Sequence, residues 1–154
     1  MKYSDFRPRL KGNKKIAYDN LNSNERRILV IGDIHAPFEL DGYLDFCKET
    51  YAKYLCNQVI YIGDIIDNHY TSYHETSADG AGGLDELKYA IKAVKKWRKA
   101  FPKADVLIGN HDRMVMRKAQ TSDIPSAWIK SYNEVLGTNW NWVERIVYDD
   151  VQFV

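Results

Sequence analysis

The chain has 154 residues, of which 45% are apolar and 28% charged, as expected for one folded globular domain and not for a fibrous or unstructured protein. Its 22 basic and 21 acidic side chains nearly cancel, so the overall charge gives no indication of nucleic-acid or membrane binding. The first residues lack the apolar run typical of a secretory leader, so we expect none. The sequence has no apolar segment of membrane-spanning length, and its two cysteines lack a metal or redox spacing. We therefore expect a cytoplasmic protein with no membrane partner.

The first 15 residues contain six basic side chains and one acidic side chain, unlike the rest of the chain. We interpret residues 1–26 as a basic arm that is solvated, and we assign residues 27–154 to a single domain.

Three short runs of strand-forming residues are each followed at once by a polar cluster. The predicted strands cover 27–31, 58–62 and 104–108. Because parallel strands end at the same edge of a sheet, we expect the three clusters to meet there. Carboxylate, imidazole and amide groups together suit divalent transition metals. The clusters are Gly32-Asp33-Ile34-His35, Gly63-Asp64-Ile65-Ile66-Asp67 and Gly109-Asn110-His111-Asp112.

Two helices are predicted between these strands, over about 41–55 and over 84–100, each with an apolar stripe at helical spacing. The second helix carries a ridge of lysines on its other side, which we interpret as a solvated face. The segment 68–83 is rich in Gly, Ser and Thr and is predicted to be a long mobile loop.

After the third cluster we expect two more helices and then strands. One helix begins within 113–119, and a second has Ser122-Asp123 as its cap, Pro125 in its first turn and Gly137 after its end. A strand follows from Trp140 to about 147, with a turn at 149–150 and another strand starting at 153. We expect core packing, not base stacking, for the tryptophans at 128, 140 and 142.

The polar clusters can be given chemical roles. Asp33, His35 and Asp64 provide two carboxylates and an imidazole, enough to begin a metal site. Asp64 has two oxygens and could bridge to a second ion, to which Asn110 would offer an amide oxygen. Such a pair of ions would activate water for attack on a phosphate ester.

The remaining candidates are assigned to catalysis or to substrate. His111 could hold the phosphate or protonate the leaving oxygen, and Asp67 and Asp112 are predicted to orient imidazoles. Arg113 could pair with a phosphate oxygen or face solvent. His69 could contact substrate or lie on the surface, and a metal-ligand role for His69 or His74 is the less favoured alternative.

In this order, each after its own strand, the clusters resemble the first three motifs of the calcineurin-like metallophosphoesterase superfamily, over about residues 27–113. The resemblance implies an α/β fold, an αββα sandwich around two divalent metal ions. Manganese is the expected metal, with iron, zinc or nickel as alternatives. It further implies that Asp33, His35 and Asp64 bind the first ion, that Asp64 and Asn110 bind the second, and that His111 is catalytic. Asp112 stands where the Ser/Thr protein phosphatases have Glu, which favours the nuclease and phosphodiesterase branches.

The chain departs from the family pattern downstream, because the family has two further histidine motifs and no histidine follows His111. We therefore expect residues 27–154 to be the N-terminal part of a metallophosphoesterase domain, or a shortened form, with a sandwich incomplete on its C-terminal side. Further C-terminal residues or a second copy in a homo-oligomer would cover the exposed sheet edges. One expected function is hydrolysis of a phosphorylated small molecule or nucleic acid. The alternative is a non-catalytic remnant that acts as a binding module.

Overall fold

The computed structural model describes residues 25–71 and 82–154. Nearly all of the predicted basic arm, most of the predicted 68–83 loop and His74 lie outside the described residues. The start of that loop forms a short 3-10 helix at His69–Thr71.

Four strands form a parallel sheet in the spatial order β1-β2-β3-β4. In the register, Ile31 lies opposite Tyr61 and Tyr61 lies opposite Val106, so the three predicted strands are neighbours. All four strands run in one direction, and the polar clusters that follow β1, β2 and β3 therefore share one edge of the sheet. The strands are β1 (Ile28–Ile31), β2 (Gln58–Tyr61), β3 (Asp105–Leu107) and β4 (Asn141–Val143).

The first two helices pack against one face of this sheet. The two helices predicted between the strands are present as α1 (Tyr43–Lys53) and α2 (Gly83–Ala100), and α3 (Met114–Thr121) begins where the sequence predicted. Alternate strand residues point to the same face, and those on the helical side are joined to the helices in one core cluster. Its strand members are Leu29, Ile31, Val59, Tyr61 and Val106, and its helix members include Cys47, Ala90, Val94 and Trp97.

The prediction of a single helix that begins at Ser122-Asp123 is wrong. Ser122 ends α3, a 3-10 helix covers Ser126–Trp128, and the last helix, α4, covers only Tyr132–Leu136. A capping box decides this start: the Ser131 hydroxyl accepts from the backbone N–H of Glu134, while the Glu134 carboxylate accepts from the backbone N–H of Ser131 at 2.9 Å. The predicted end is confirmed, because Gly137 takes the left-handed conformation after the last turn.

The strand predicted from Trp140 to about 147 is two strands. β4 ends at Val143, and β5 (Ile146–Tyr148) pairs in antiparallel fashion with β6 (Val151–Phe153) to form a second sheet. Asp149 and Asp150 make the tight turn and both have positive φ, as a type I′ hairpin requires. The last strand therefore begins two residues earlier than the sequence predicted.

The face of the sheet opposite the helices is partly covered. Ile60 and Leu107 are buried there, whereas Val30 and Ile62 are 45% and 43% exposed. The hydroxyl of Tyr148 on the hairpin donates to the Asp105 carboxylate at 2.8 Å. The α/β class is therefore confirmed, with one helical layer, the parallel sheet and a two-stranded second sheet among the described residues. None of the described helices has the length and apolar character needed to cross a membrane.

Candidate metal centre

Three predicted metal ligands from the first two clusters meet at the carboxyl edge of the sheet. The Nε2 atom of His35 lies 3.7 Å from a carboxylate oxygen of Asp33 and 4.0 Å from one of Asp64. The ligand atoms of these residues all lie within 4.8 Å of one another, which we call the first metal set. Asp33 is exposed and Asp64 is buried, so the set opens toward solvent on one side.

Backbone hydrogen bonds between the two loops hold this set. The carbonyl oxygen of Asp64 accepts from the N–H groups of Ile34 and His35 at 3.1 and 2.9 Å. His35 and Asp64 both have a φ of 49°, in the left-handed region that side chains other than glycine rarely adopt. Such strained positions concentrate at functional sites.

Asp67 fixes the orientation of the His35 ring. Its carboxylate lies 2.8 Å from Nδ1 of His35 and can only accept, so Nδ1 carries the proton. Nε2 is then the nitrogen left available to a metal, and it is the nitrogen that faces Asp33 and Asp64. The structure therefore brings Asp67 beside an imidazole that could bind metal, and its part in catalysis stays a prediction.

His111 lies beside His35, with the two ring centroids 4.6 Å apart at an interplanar angle of 85°. Its Nδ1 lies 2.6 Å from the backbone carbonyl oxygen of Asp67, so this nitrogen also carries a proton and leaves Nε2 as the reactive nitrogen. His35, Asp67 and His111 also form a cluster with metal-ligand spacing. We interpret that cluster as an orienting group, because both Nδ1 atoms are already occupied by hydrogen bonds.

The third cluster fixes the Asp64 carboxylate. One oxygen of Asp64 accepts from the backbone N–H of His111 at 2.9 Å, and the other faces His35. A Cβ atom at Gly109 would overlap the Asp64 carboxylate and backbone, and one at Gly63, where φ is 109°, would lie 2.8 Å from the Gly109 Cα. Two glycines are therefore required where the second and third clusters cross.

Asp112 lies beneath the two loops and not beside a ring. The sequence predicted that it orients an imidazole, whereas its buried carboxylate accepts from the backbone N–H groups of Ile65, Ile66 and Gly109 at 3.1, 3.3 and 2.9 Å. Burial raises the pKa of Asp112 to about 6, and the hydrogen bonds from these N–H groups oppose the rise. The residue joins the second and third clusters, which are 47 positions apart in the chain.

Asn68 is a site residue that the sequence reading missed. Its side-chain amide is buried and donates to the backbone carbonyl of His111 at 2.9 Å, and its φ is 52°. Asparagine is one of the few residues that tolerate the left-handed region, and this was the available signal directly after Asp67.

The other predicted site residues are less closely joined to the centre. Asn110 is exposed between Gly109 and His111. The Arg113 guanidinium donates to Glu144 at 2.9 Å, and exposed His69 donates its backbone N–H to buried Glu86 at 2.8 Å. Their assignments to the second ion and to substrate stay predictions.

The donor chemistry of the first metal set fits a divalent cation. Two carboxylates and one imidazole present atoms of the right type with the imidazole tautomer already fixed, and Asp33 leaves the set accessible.

Comparison with known proteins gives one match. The family model for calcineurin-like phosphoesterases matches residues 26–151, which include all three clusters and the whole parallel sheet. No curated protein and no solved structure matches the chain significantly. The chain therefore belongs to the calcineurin-like phosphoesterase family.

Proposed function

We propose that this protein is a metal-dependent phosphoesterase that hydrolyses a phosphate ester with water, and that a phosphodiester is the preferred substrate. The observation that supports it best is the convergence of Asp33, His35 and Asp64, with the proton-carrying ring of His111 directly beside them. Asp112 at the end of the third cluster favours the diester branch, as the family resemblance implies.

Asp33, His35 and Asp64 would hold the first divalent ion, and Asp64 with Asn110 would hold a second, with Mn2+ as the proposed metal and iron, zinc or nickel as alternatives. Divalent ions at these positions supply Lewis-acid polarisation of the phosphoryl group and lower the pKa of water. The protein's own contribution is to fix the ligands, because Asp67 holds the His35 ring and the His111 backbone N–H holds the Asp64 carboxylate.

His111 is the proposed general acid. The hydrogen bond from its Nδ1 to the carbonyl of Asp67 leaves Nε2 as the nitrogen that can gain or lose a proton. When protonated, the ring can donate from Nε2 to a phosphoryl oxygen or to the leaving oxygen of the ester. Asn68 holds the His111 backbone and therefore restricts where this ring can lie.

The test is hydrolysis of bis(p-nitrophenyl) phosphate and p-nitrophenyl phosphate by the chain loaded with Mn2+, with metal binding followed by calorimetry. We expect turnover that is faster on the diester and that is lost, together with tight metal binding, in Asp64→Asn. Asp45→Asn is the matched control, because Asp45 is an exposed carboxylate on α1 that pairs with Lys48.

Metal binding with no turnover of either ester would reject the catalytic proposal and support the alternative of a binding module. If the chain showed neither metal binding nor turnover, the metal centre itself would be rejected. Faster hydrolysis of the monoester would reject only the preference for diesters.

A further inference from the structure

The net charge of the chain conceals a strongly basic helix. Between Leu87 and Ala104 there are seven basic residues and no acidic residue, although the whole chain has a net charge of only +1. Most of these side chains project from α2 and are exposed. They are Lys88, Lys92, Lys95, Lys96, Arg98, Lys99 and Lys103.

One side of this helix lines a surface depression of about 380 Å³ together with the loop that follows the first cluster. The helix contributes Tyr89, Lys92 and Lys96, which are spaced to lie on that side. The loop contributes Phe38, which lines the opposite side of the depression. Phe38 and Tyr89 are 62% and 58% exposed. We call Phe38, Tyr89, Lys92 and Lys96 the basic-aromatic strip.

The strip begins close to the candidate metal centre. The backbone N–H of Phe38 donates to the carbonyl of His35 at 2.7 Å, so Phe38 lies one tight turn from a predicted metal ligand. The helix begins at the same edge of the sheet, after β2, and Tyr89 lies in its first two turns. A ligand that covers the strip therefore reaches the edge at which Asp33, His35 and Asp64 converge.

We propose that the basic-aromatic strip binds single-stranded nucleic acid and directs a phosphodiester of that strand to the metal centre. Exposed aromatic rings next to lysines form a surface on which unpaired bases can stack while the lysines neutralise phosphates. A paired duplex keeps its bases stacked on one another, and an acidic peptide has no bases to stack on Phe38 and Tyr89. The inference rests on the proposed function, because cleavage of the bound strand requires the phosphoesterase activity. It also replaces the earlier prediction that the lysines of this helix form only a solvated face.

Within the described part of the chain, Glu39 is the one carboxylate that lines the depression. Its Oε2 is buried and has no hydrogen-bond partner among the described residues. A negative charge here opposes a polyanion, so Glu39→Gln is expected to strengthen binding of an oligonucleotide, whereas substitutions of the lysines weaken it.

The experiment measures binding of a fluorescein-labelled 20-nucleotide oligothymidylate by fluorescence anisotropy, in EDTA so that no hydrolysis occurs. Removing two phosphate-binding charges in Lys92→Gln/Lys96→Gln is expected to make the negative slope of log K against log salt shallower by about 1.4. Phe38→Ala and Tyr89→Ala are each expected to raise Kd about 5-fold to 150-fold without a change in that slope, because stacking does not release counterions.

Lys48→Gln/Lys53→Gln is the matched control, since it removes two exposed charges from α1, outside the strip. An unchanged slope in the Lys92/Lys96 variant, or equal effects in the two double variants, would overturn the inference. Competition by a poly-glutamate peptide of equal charge would identify an acidic protein as the ligand and would also overturn it.

The two proposals fail separately. A chain that hydrolyses bis(p-nitrophenyl) phosphate but does not bind the oligonucleotide would refute the strip and leave the phosphoesterase. A chain that binds the oligonucleotide through the strip but cleaves neither ester would keep the strip as a binding surface and refute the enzyme.

Discussion

Asp67 and Asp112 are the same residue type in opposite surroundings. The side chain of Asp67 is 16% exposed and accepts from an imidazole, so it can respond to a metal or a proton at His35. The side chain of Asp112 is buried and accepts from three backbone N–H groups, so its effect is on the position of the loops. The two aspartates that follow the second and third strands therefore have different roles, and only the structure distinguishes them.

The elevated pKa of Asp112 makes stability depend on pH with a defined sign. Because burial raises the pKa from 3.8 to about 6, the folded protein binds this proton more tightly than the unfolded chain between about pH 4 and pH 6. The corresponding stability is fully present below pH 4 and is lost as pH rises through 6, and it amounts to at most about 3 kcal/mol. Asp112→Asn removes the titration.

This dependence can be measured by urea unfolding of the metal-free protein from pH 4 to 7.5. The free energy of unfolding of the wild type minus that of Asp112→Asn is expected to fall as pH rises. Exposed Asp123 provides the control variant Asp123→Asn, for which the same difference should not fall. A difference for Asp112→Asn that increases with pH would contradict the assignment of burial as the dominant cause.

Gly109→Ala is expected to disrupt the site, because the new methyl group would overlap the carboxylate and backbone of Asp64. We expect a loss of unfolding free energy of at least about 1–3 kcal/mol, as for overpacked cores, together with much weaker Mn2+ binding. Gly32→Ala is the matched control: Gly32 also opens a cluster, and a Cβ there would lie 3.7 Å from the Tyr43 hydroxyl, an ordinary contact. Urea unfolding and calorimetry of both variants test this. Equal effects at the two glycines would argue against the close approach of the second and third loops.

At the scale of elements, the strands were predictable and the region after α3 was not. β1, β2 and β3 are short apolar runs that end at a glycine, a strong local signal. The C-terminal third contains two possible helix caps, Ser122 and Ser131. The helix begins after Ser131, where Glu134 completes a capping box. Likewise the long strand predicted after Trp140 breaks beside Glu144, whose side chain is held by Arg113, a contact 31 residues apart that no local pattern reveals.

Ser131→Ala is therefore expected to destabilise α4 by about 0.5–2 kcal/mol, since it removes the acceptor for the Glu134 N–H. The effect should reach the site, because Tyr132 in the first turn of α4 donates from its hydroxyl to the backbone carbonyl of Asp112 at 3.1 Å. Ser126→Ala is the comparison, as Ser126 is exposed in the 3-10 helix. Chemical denaturation measures both, and an unaltered unfolding free energy in Ser131→Ala would show that the capping box does not stabilise the helix.

For the whole molecule, the sequence predicted that Asp33, His35 and Asp64 lie close together at one edge of the sheet, and the structure brings their ligand atoms within 4.8 Å of one another. This much was predictable because strand ends and ligand types are both local features. The sequence did not predict the positive φ of His35 and Asp64, the buried Asn68 or the loop-bridging role of Asp112, since each depends on packing between clusters far apart in the chain. The prediction of core packing for the tryptophans was likewise right at one position and wrong at another. Trp140 is buried as expected, whereas Trp128 is 81% exposed, contrary to the prediction of core packing.

Metal binding should stabilise the entire domain and not the site alone. A ligand at 100 times its Kd adds about 2.7 kcal/mol to the free energy of unfolding when only the folded state binds it. We therefore expect Mn2+ to raise the melting temperature of the wild type and EDTA to reverse the rise, with no shift in Asp64→Asn. Differential scanning calorimetry across a Mn2+ series tests this. A shift of equal size in Asp64→Asn would place the ion elsewhere.

The spatial order of the parallel strands is also their order in the chain, and this has a consequence for synthesis on the ribosome. Each new strand can add beside the one already made, so the sheet can grow in the direction of translation. Asp33, His35 and Asp64 have all emerged once the loop after β2 is made, yet the N–H group that fixes the Asp64 carboxylate belongs to His111, 47 residues later. A nascent chain would hold the proposed metal ligands for dozens of residues before it can set their geometry. If they bind an ion as proposed, selective capture of that ion must wait until β3 and its loop have joined the sheet.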